Sequence, residues 1–516
     1  MALHTIRRAV LGQARQPPNY PTNPTDTILP VYYFDDTPLL HNCVQCWTLR
    51  FNEPLDAEML HRSLSDVLDR PGWRKLGGRV RMDNKGKLEI HVPLEFTSAR
   101  PAVRFHHDKY EVTIAGHPLA SRLPQPTPDK PSIQDRSDFT SLGVPPGTPL
   151  CLNDYLKSDH PQLTLHVVSF TDATLVSICW PHIAVDAMSL RELGIAWTLA
   201  LSGRASEILP MLSSGDDPMG QAGNDPAFTK PYSLVQHQVN GWQVYVFAIF
   251  YVFDLIRWRK MESKTIFLPR KTVEQLRNEA MESLNENGSY PFISEGDTII
   301  SWLSILIASA LFPRASNRPL AIGNAFDLRG RAPSLFPAGS DQGAYVQNAI
   351  FPCWTIIPAE SVHRPKHNTL GNIALALRTT IQQQTTEDSI HAQARLTREA
   401  LDFCGIPPLF GDAKSFFLQF TNWSKCNFFE ALDFSAAITD KSDFVTAQKA
   451  SSSWQSSALT RGRPVYYHIL GISPNNALGR NISIISKTPN GDYWIDGSYP
   501  PEVWKAMKST IGTRSA

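Results

Sequence analysis

Leu163 to Phe170 and Leu175 to Cys179 read as two strands around a Thr171-Asp172-Ala173 turn. The period then changes. After Asp186, the residues Leu190, Leu193, Trp197 and Leu201 fall at helical spacing. Between strand and helix runs Cys179-Trp180-Pro181-His182-Ile183-Ala184-Val185-Asp186, a short loop leaving a sheet. Upstream, Asp56 to Leu68 carries Leu60, Leu64 and Val67 on one helical face. A Pro71-Gly72 break follows, and Gly77-Gly78 turns the chain into a strand at Arg79-Val80. Leu123 to Pro131 is proline-rich and predicts a surface loop.

The clearest linker is Ser213 to Pro226, rich in Gly, Asp, Pro and Ser. Beyond it, Lys264 to Leu268 predicts a strand and Thr272 to Leu284 a helix. Glu295 to Leu311 predicts a long apolar helix capped by Ser294. Strand and loop alternate over 320–358, and helices are expected over 369–383 and 388–402. Strands follow near 415–421, 432–439, 464–471 and 480–486; Tyr493 to Ile495 leads into a last helix, Pro501 to Lys508. Interspersed strands and helices in both halves predict mixed α/β sandwich domains. The expected division is 1–212, a linker and apolar insert over 213–262, and 263–516. There is no short repeat and no low-complexity tract.

A chain of 516 residues is long for one core, which agrees with two domains. With 49 basic and 48 acidic residues the net charge is +1, and no basic stripe points to nucleic acid. Seven scattered cysteines suggest a reduced, cytoplasmic setting. Cys43 and Cys46 form a lone C-x-x-C that reads as two buried thiols. Residues 1–20 are polar, with Pro17 and Pro18, so no signal peptide is expected. Val244 to Phe253 is ten apolar residues before Asp254 and the basic Arg257-Trp258-Arg259-Lys260. It is too short to span a bilayer. It fits either a buried helix or a membrane-facing surface patch.

The candidate chemistry centres on His182. An imidazole on a loop leaving a rigid sheet can serve as a general base near neutral pH; it also fits a half-buried histidine with a satisfied ring. Asp186 equally fits the N-cap of the helix it precedes. Cys179, His182 and Asp186 match no metal-ligand spacing, and no metal is expected.

Taken in order, these pieces resemble the BAHD acyltransferases over nearly the whole chain. A helix ending in a Gly-Arg-Leu-like strand start is matched by Leu64 to Val80. The H-x-x-x-D-G motif is matched by His182 to Asp186, with Ala187 in place of glycine. The family's hydrophobic helix is matched by Thr298-Ile299-Ile300-Ser301-Trp302-Leu303. Its N-x-R segment and later Tyr-x-Gly-Asn are matched by Asp327-Leu328-Arg329 and Tyr345-Val346-Gln347-Asn348, and its Thr-Ser-Trp strand by Thr421-Asn422-Trp423. Asp433-Phe434 opens the D-F-G-W-G motif, but Ser435-Ala436-Ala437 replace the rest. The drift is similar to that of the fungal secondary-metabolite branch.

The resemblance implies two chloramphenicol-acetyltransferase-like α/β sandwich domains with an active-site tunnel at their interface. It implies acyl transfer from acyl-coenzyme A, expected to be acetyl-coenzyme A, to a hydroxyl or amine of a small lipophilic acceptor through a ternary complex. His182 would be the base, and Asp186 would pair with Arg329 to hold the loop. The Trp423 indole N–H and the Thr421 hydroxyl would stand near the acyl group. Asp433 would support the fold and the coenzyme channel. Arg329 also fits a solvated arginine, Trp423 a core aromatic and Asp433 a turn residue. No permanent cofactor is implied, no coenzyme-binding residue is singled out, and a monomer is expected. Two other readings stand beside this one. Condensation-like domains carry two adjacent histidines, whereas Pro181 precedes His182 here. A degenerate scaffold that binds a metabolite or a partner enzyme would accommodate Ala187 and Ser435-Ala436-Ala437.

Overall fold

The computed structural model of the chain describes residues 21–136, 139–212, 214–285, 291–337, 342–439, 461–474 and 480–514. The expectation for residues 1–20 and the first linker residue, Ser213, lie outside them. Two sheets organise the described residues. A five-stranded sheet runs in the order Tyr466–Gly471, Val44–Phe51, Thr174–Pro181, Thr164–Ser169 and Arg104–Lys109. A seven-stranded sheet runs Ile350–Ile357, Leu320–Asp327, Phe416–Asn422, Ile482–Lys487, Tyr493–Tyr499, Glu262–Leu268 and Ser132–Asp135. A small third sheet joins Thr27–Pro30, Leu88–Val92 and Arg79–Met82.

Each large sheet borrows an edge strand from the other half of the sequence. Ser132–Asp135 pairs antiparallel with Glu262–Leu268, and Tyr466–Gly471 pairs antiparallel with Val44–Phe51. A buried ion pair ties the exchange together. Arg136 lies 2.9 Å from Asp496 and donates to the carbonyl of Ile469 at 2.6 Å.

Helices cover the sheets as the apolar spacing predicts. Asp56 caps Ala57–Leu68 by accepting from the N–H of Met59 at 2.9 Å. That helix packs on Ala187–Leu201, where the Trp197 indole N–H donates to the Leu60 carbonyl and the Ser63 hydroxyl. On the larger sheet, Glu295–Leu311 opens with a reciprocal cap between Ser294 and Asp297 and lies beside Thr369–Gln384, Arg270–Ser283 and Pro501–Arg514.

Four expectations are corrected. Residues 432–439 are not a strand; Ser435–Ala437 is a 3₁₀ turn. The helix expected from Thr272 starts at Arg270, directly behind Pro269. Tyr493 to Ile495 is part of a full strand reaching Tyr499, and the last helix continues past Lys508 to Arg514. The expectation for Cys43 and Cys46 is met: both are buried free thiols.

The borrowed strand carries an acid-sensitive residue. His468 is buried, and neither ring nitrogen has a hydrogen-bond partner. Burial, with Arg136 adding to it, pushes its pKa down to about 3. The unfolded chain takes up this proton below about pH 6.5, while the folded chain refuses it until far lower pH. Stability therefore falls as the pH falls, by about 1.4 kcal/mol per unit in that window. Between pH 7 and pH 5, His468→Leu is expected to lose about 2 kcal/mol less than the parent in urea unfolding. Equal losses in both proteins would refute this.

Candidate active site

The strand Thr174–Pro181 is the central one of the five and is held on both sides, with Val44 opposite Pro181. It delivers His182 to a fixed point. The His182 N–H donates to the Cys43 carbonyl at 2.7 Å, and the Asn348 amide donates to the His182 carbonyl at 2.6 Å. The Trp180 indole N–H closes the loop on the Val185 carbonyl at 3.2 Å.

The His182 ring is half-buried, and Nδ1 is its enclosed nitrogen. Burial lowers the imidazole pKa below its ordinary value. The residue's own backbone, the charge of Asp186 and the Asn348 side chain pull partly the other way. The ring is therefore neutral at neutral pH, the form a proton acceptor needs.

Asp186 fulfils two roles that the sequence left as alternatives. Its Oδ1 caps the helix Ala187–Leu201, accepting from the Ser189 N–H at 2.8 Å. The same carboxylate accepts two bonds from Arg329, at 3.1 and 3.2 Å, and one from the Ala349 N–H at 2.9 Å. Burial works against its charge, but Arg329 and the two N–H groups outweigh that and hold its pKa below the usual carboxylate range. Arg329 is fully engaged, donating also to Asp327, the Ser189 hydroxyl and the carbonyls of Tyr345 and Gln347. It follows the strand Leu320–Asp327 of the larger sheet, so this pair joins the two sheets behind His182.

The other candidates are placed separately. Thr421 and Trp423 sit at the end of Phe416–Asn422 and the turn after it. Trp423 is buried, with its indole N–H donating to the Thr421 hydroxyl at 3.0 Å. Asp433 receives no bond from the His182 loop. Its N–H donates to Thr198, about 18 Å along the helix that Asp186 caps. Its carboxylate accepts from the Ser435 N–H and lies 3.6 Å from Arg463. Phe434 beside it stacks on Phe51 and packs at a tilt against Trp197 in the core.

Two cavities lie near the His182 loop, and His182 itself lines neither. One, of about 150 Å³, is related to the loop through Asn348, which bonds the His182 carbonyl; it is mostly apolar, lined by Phe34, Leu40, Phe351, Trp354 and Leu401, with Thr37, Asn348, Gln393 and Thr397 as polar groups. The other is a narrow cleft touching Ile183 and Ala184, into which Tyr32, Asp35 and Lys75 project. Sequence reading passes over Asp35 and Lys75, and it names Asn348 only as part of a motif. Asp35 and Lys75 are buried; burial raises the Asp35 pKa and lowers that of Lys75, so each moves toward its neutral form. Lys75 stands between Arg74 and Arg79 in the run Trp73 to Val80, so nothing local marks it as the one whose ammonium meets Asp35.

No family model matches the chain. Curated relatives do. "Acetyltransferase pyiB" of Pyricularia grisea is 34% identical over 488 residues, 94% of this chain and 93% of that protein. "O-acetyltransferase PaAT-2" of Phomopsis amygdali is 35% identical over 505 residues, 95% of this chain and 98% of its own length. Among solved structures, F. sporotrichioides TRI101 complexed with coenzyme A and T-2 superposes with a TM-score of 0.64, covering 94% of this chain and 97% of that one at 15% identity, a likeness of fold. With identity above 30% over almost the full length of such relatives, and the His182–Asp186 loop held between two sheets, the chain belongs to the BAHD acyl-coenzyme A-dependent acyltransferases, in their fungal secondary-metabolite branch.

Proposed function

We propose that the chain moves an acetyl group from acetyl-coenzyme A to a hydroxyl, or an amine, of a small lipophilic metabolite, with His182 as general base. One observation carries this reading: a neutral, half-buried imidazole stands on a loop whose His182 carbonyl is held by Asn348, and Asn348 lines a 150 Å³ mostly apolar cavity suited to a lipophilic acceptor. The choice of acetyl follows the two relatives, both named acetyltransferases. The acceptor proton passes to His182 as its oxygen attacks the thioester carbon. The tetrahedral intermediate then expels the thiolate, which recovers that proton from His182. Acceptor and coenzyme reach His182 from opposite ends of a tunnel.

The Trp423 indole N–H is spent on the Thr421 oxygen, so the Thr421 O–H is the donor left for the developing oxyanion. A donor of this kind contributes roughly 10² to 10³ in rate. Asp186 and Arg329 hold the loop, and Asp433 supports the fold on the coenzyme side. Residues 1–212 and 263–516 form the two acyltransferase-like domains, joined by 213–262. Release of free thiol from acetyl-coenzyme A in the presence of a panel of lipophilic alcohols and amines tests the activity. Thiol release no faster than without acceptor, across the panel, would favour a binding scaffold.

The finer proposal concerns where the acceptor comes from. No helix among the described residues is long and apolar enough to cross a membrane. The apolar segment is a surface helix, Gln243–Arg257, with no fully buried residue. Trp242, Tyr245, Ile249, Val252, Phe253 and Ile256 form its outward face, and Trp242, Ile249 and Ile256 are 72%, 68% and 71% exposed. Asp254 anchors its inner side to Arg318 at 2.7 and 2.9 Å. Phe247 packs on Phe417, which packs on Trp354 in the cavity wall. The chain is proposed to work in the cytoplasm as a monomer that rests this face on an anionic membrane, with Arg257 and Arg259 toward the head groups. Because Phe247 faces inward, the test belongs on Ile249 and Ile256. The double change Ile249→Glu, Ile256→Glu is expected to abolish co-sedimentation with phosphatidylserine-containing vesicles while thiol release from a soluble acceptor persists. Equal sedimentation of parent and variant would sink the membrane contact. Sedimentation velocity at two concentrations and cell fractionation check the monomer and the compartment.

A further inference from the structure

Two parallel strands at the edge of the five-stranded sheet, Arg104–Lys109 and Thr164–Ser169, place His106 opposite His166. Asp108 lies two residues beyond His106 and so on the same face. Its carboxylate stands between the two rings, with Oδ1 3.3 Å from His106 Nε2 and Oδ2 3.0 Å from His166 Nε2. One donor atom from each of the three lies within 4.8 Å of the others. Donors bound at about 2.0–2.1 Å and held about 90–110° apart stand about 2.8–3.4 Å from one another. Both nitrogen–oxygen distances fall inside that range, each to a different oxygen of the Asp108 carboxylate, so binding an ion would draw the three side chains slightly together.

We propose that His106, Asp108 and His166 form a binding site for a divalent transition metal such as zinc or cobalt. Two neutral imidazoles and one carboxylate supply three ligands, and water completes a four-coordinate shell. Imidazole and carboxylate donors without thiolate select this class over calcium or magnesium, which take oxygen. His166 is buried, which fixes one ligand, whereas His106 and Asp108 are half-exposed and open the site to solvent. The site spans the strand next to the one that leads to His182 and the edge strand beyond it, so an ion there serves the fold. It would clamp the edge strand Arg104–Lys109 to its neighbour. The sequence expectation of no metal did not reach this grouping, because Asp108 and His166 are 58 residues apart and meet only through strand register.

The test uses the untagged full chain stripped with a chelator. Zinc titrated by calorimetry is expected to bind one ion per chain and to raise the melting temperature. His106→Gln and Asp108→Asn, both at half-exposed positions, are each expected to weaken binding by at least about tenfold and to cancel the thermal shift. Cobalt(II) in the same site is expected to show ligand-field absorption without thiolate charge-transfer bands. Three results would each overturn the proposal: no saturable zinc binding, binding unchanged in both variants, or thiolate bands pointing to the cysteines. The first would leave the three side chains as a hydrogen-bonded cluster only.

Discussion

His182→Ala is expected to lower turnover by at least about 10², with circular dichroism and melting temperature close to the parent. The loop is held through backbone atoms. Cys43 accepts from the His182 N–H, and Asn348 donates to the His182 carbonyl; both bonds survive removal of the ring. The effect should therefore fall on the chemical step rather than on folding. Since burial lowers the imidazole pKa, the acid limb of the parent's pH–rate profile should have its midpoint below about 6.5. Activity rises through that midpoint as the ring loses its proton. The alanine variant should lack this limb. Full activity in a folded variant, or an acid limb unchanged by the substitution, would remove His182 from the role of base.

How much of this was legible in the sequence differs by scale. The strands around Thr171-Asp172-Ala173 and the helix after Asp186 were legible because period and burial agree over long runs. Residues 432–439 misled for the same reason. Leu432, Phe434, Ala436 and Ile438 alternate as a strand would, yet Phe434 is drawn into the core against Phe51 and Trp197, and its N–H donates to the Gly462 carbonyl at 2.7 Å. The exchange of edge strands was not legible, since nothing local in Ser132–Asp135 or Tyr466–Gly471 records which sheet they join. The cavity, the burial of Asp35 and Lys75 and the use of Asn348 depend on how distant segments converge.

The departures from the family motifs have a physical reading. Ala187 is the first residue of the helix that Asp186 caps, a position that asks nothing of glycine and suits alanine. Among the described residues, none of Ser435, Ala436 and Ala437 has a positive φ, so no strain follows from losing the motif's glycines. The need for glycine has moved to the facing segment. Gly462 has φ +73°, and a Cβ there would stand 2.3 Å from the Ser435 nitrogen. These changes therefore do not argue for a degenerate scaffold.

Asp186→Asn is expected to cost about 3 kcal/mol of stability, the low end for breaking a buried ion pair. The two changes at this position can be separated because Asp186 has two roles. Asparagine caps a helix as well as aspartate does, so the bond from Ser189 persists and the loss reports the pair with Arg329. Asp186→Ala should lose about 1 kcal/mol more, the cost of the cap. The value sits at the low end because Arg329 keeps Asp327 and the carbonyls of Tyr345 and Gln347. Turnover should fall with stability, since the same contacts set the His182 loop. The pH dependence carries a definite sign. Asp186 has a depressed pKa, so the stability it contributes is present above its ordinary value of 3.8 and is lost as pH falls through the lower folded value. The gap between parent and Asp186→Asn should therefore be constant from pH 5 to pH 8 and close below about pH 4. Arg329→Lys should also lose stability, because a single ammonium cannot make the two parallel bonds to Asp186. Denaturant melts of the three variants across that range decide the matter: an Asp186→Asn protein within about 1 kcal/mol of the parent would mean that the pair does not hold the loop.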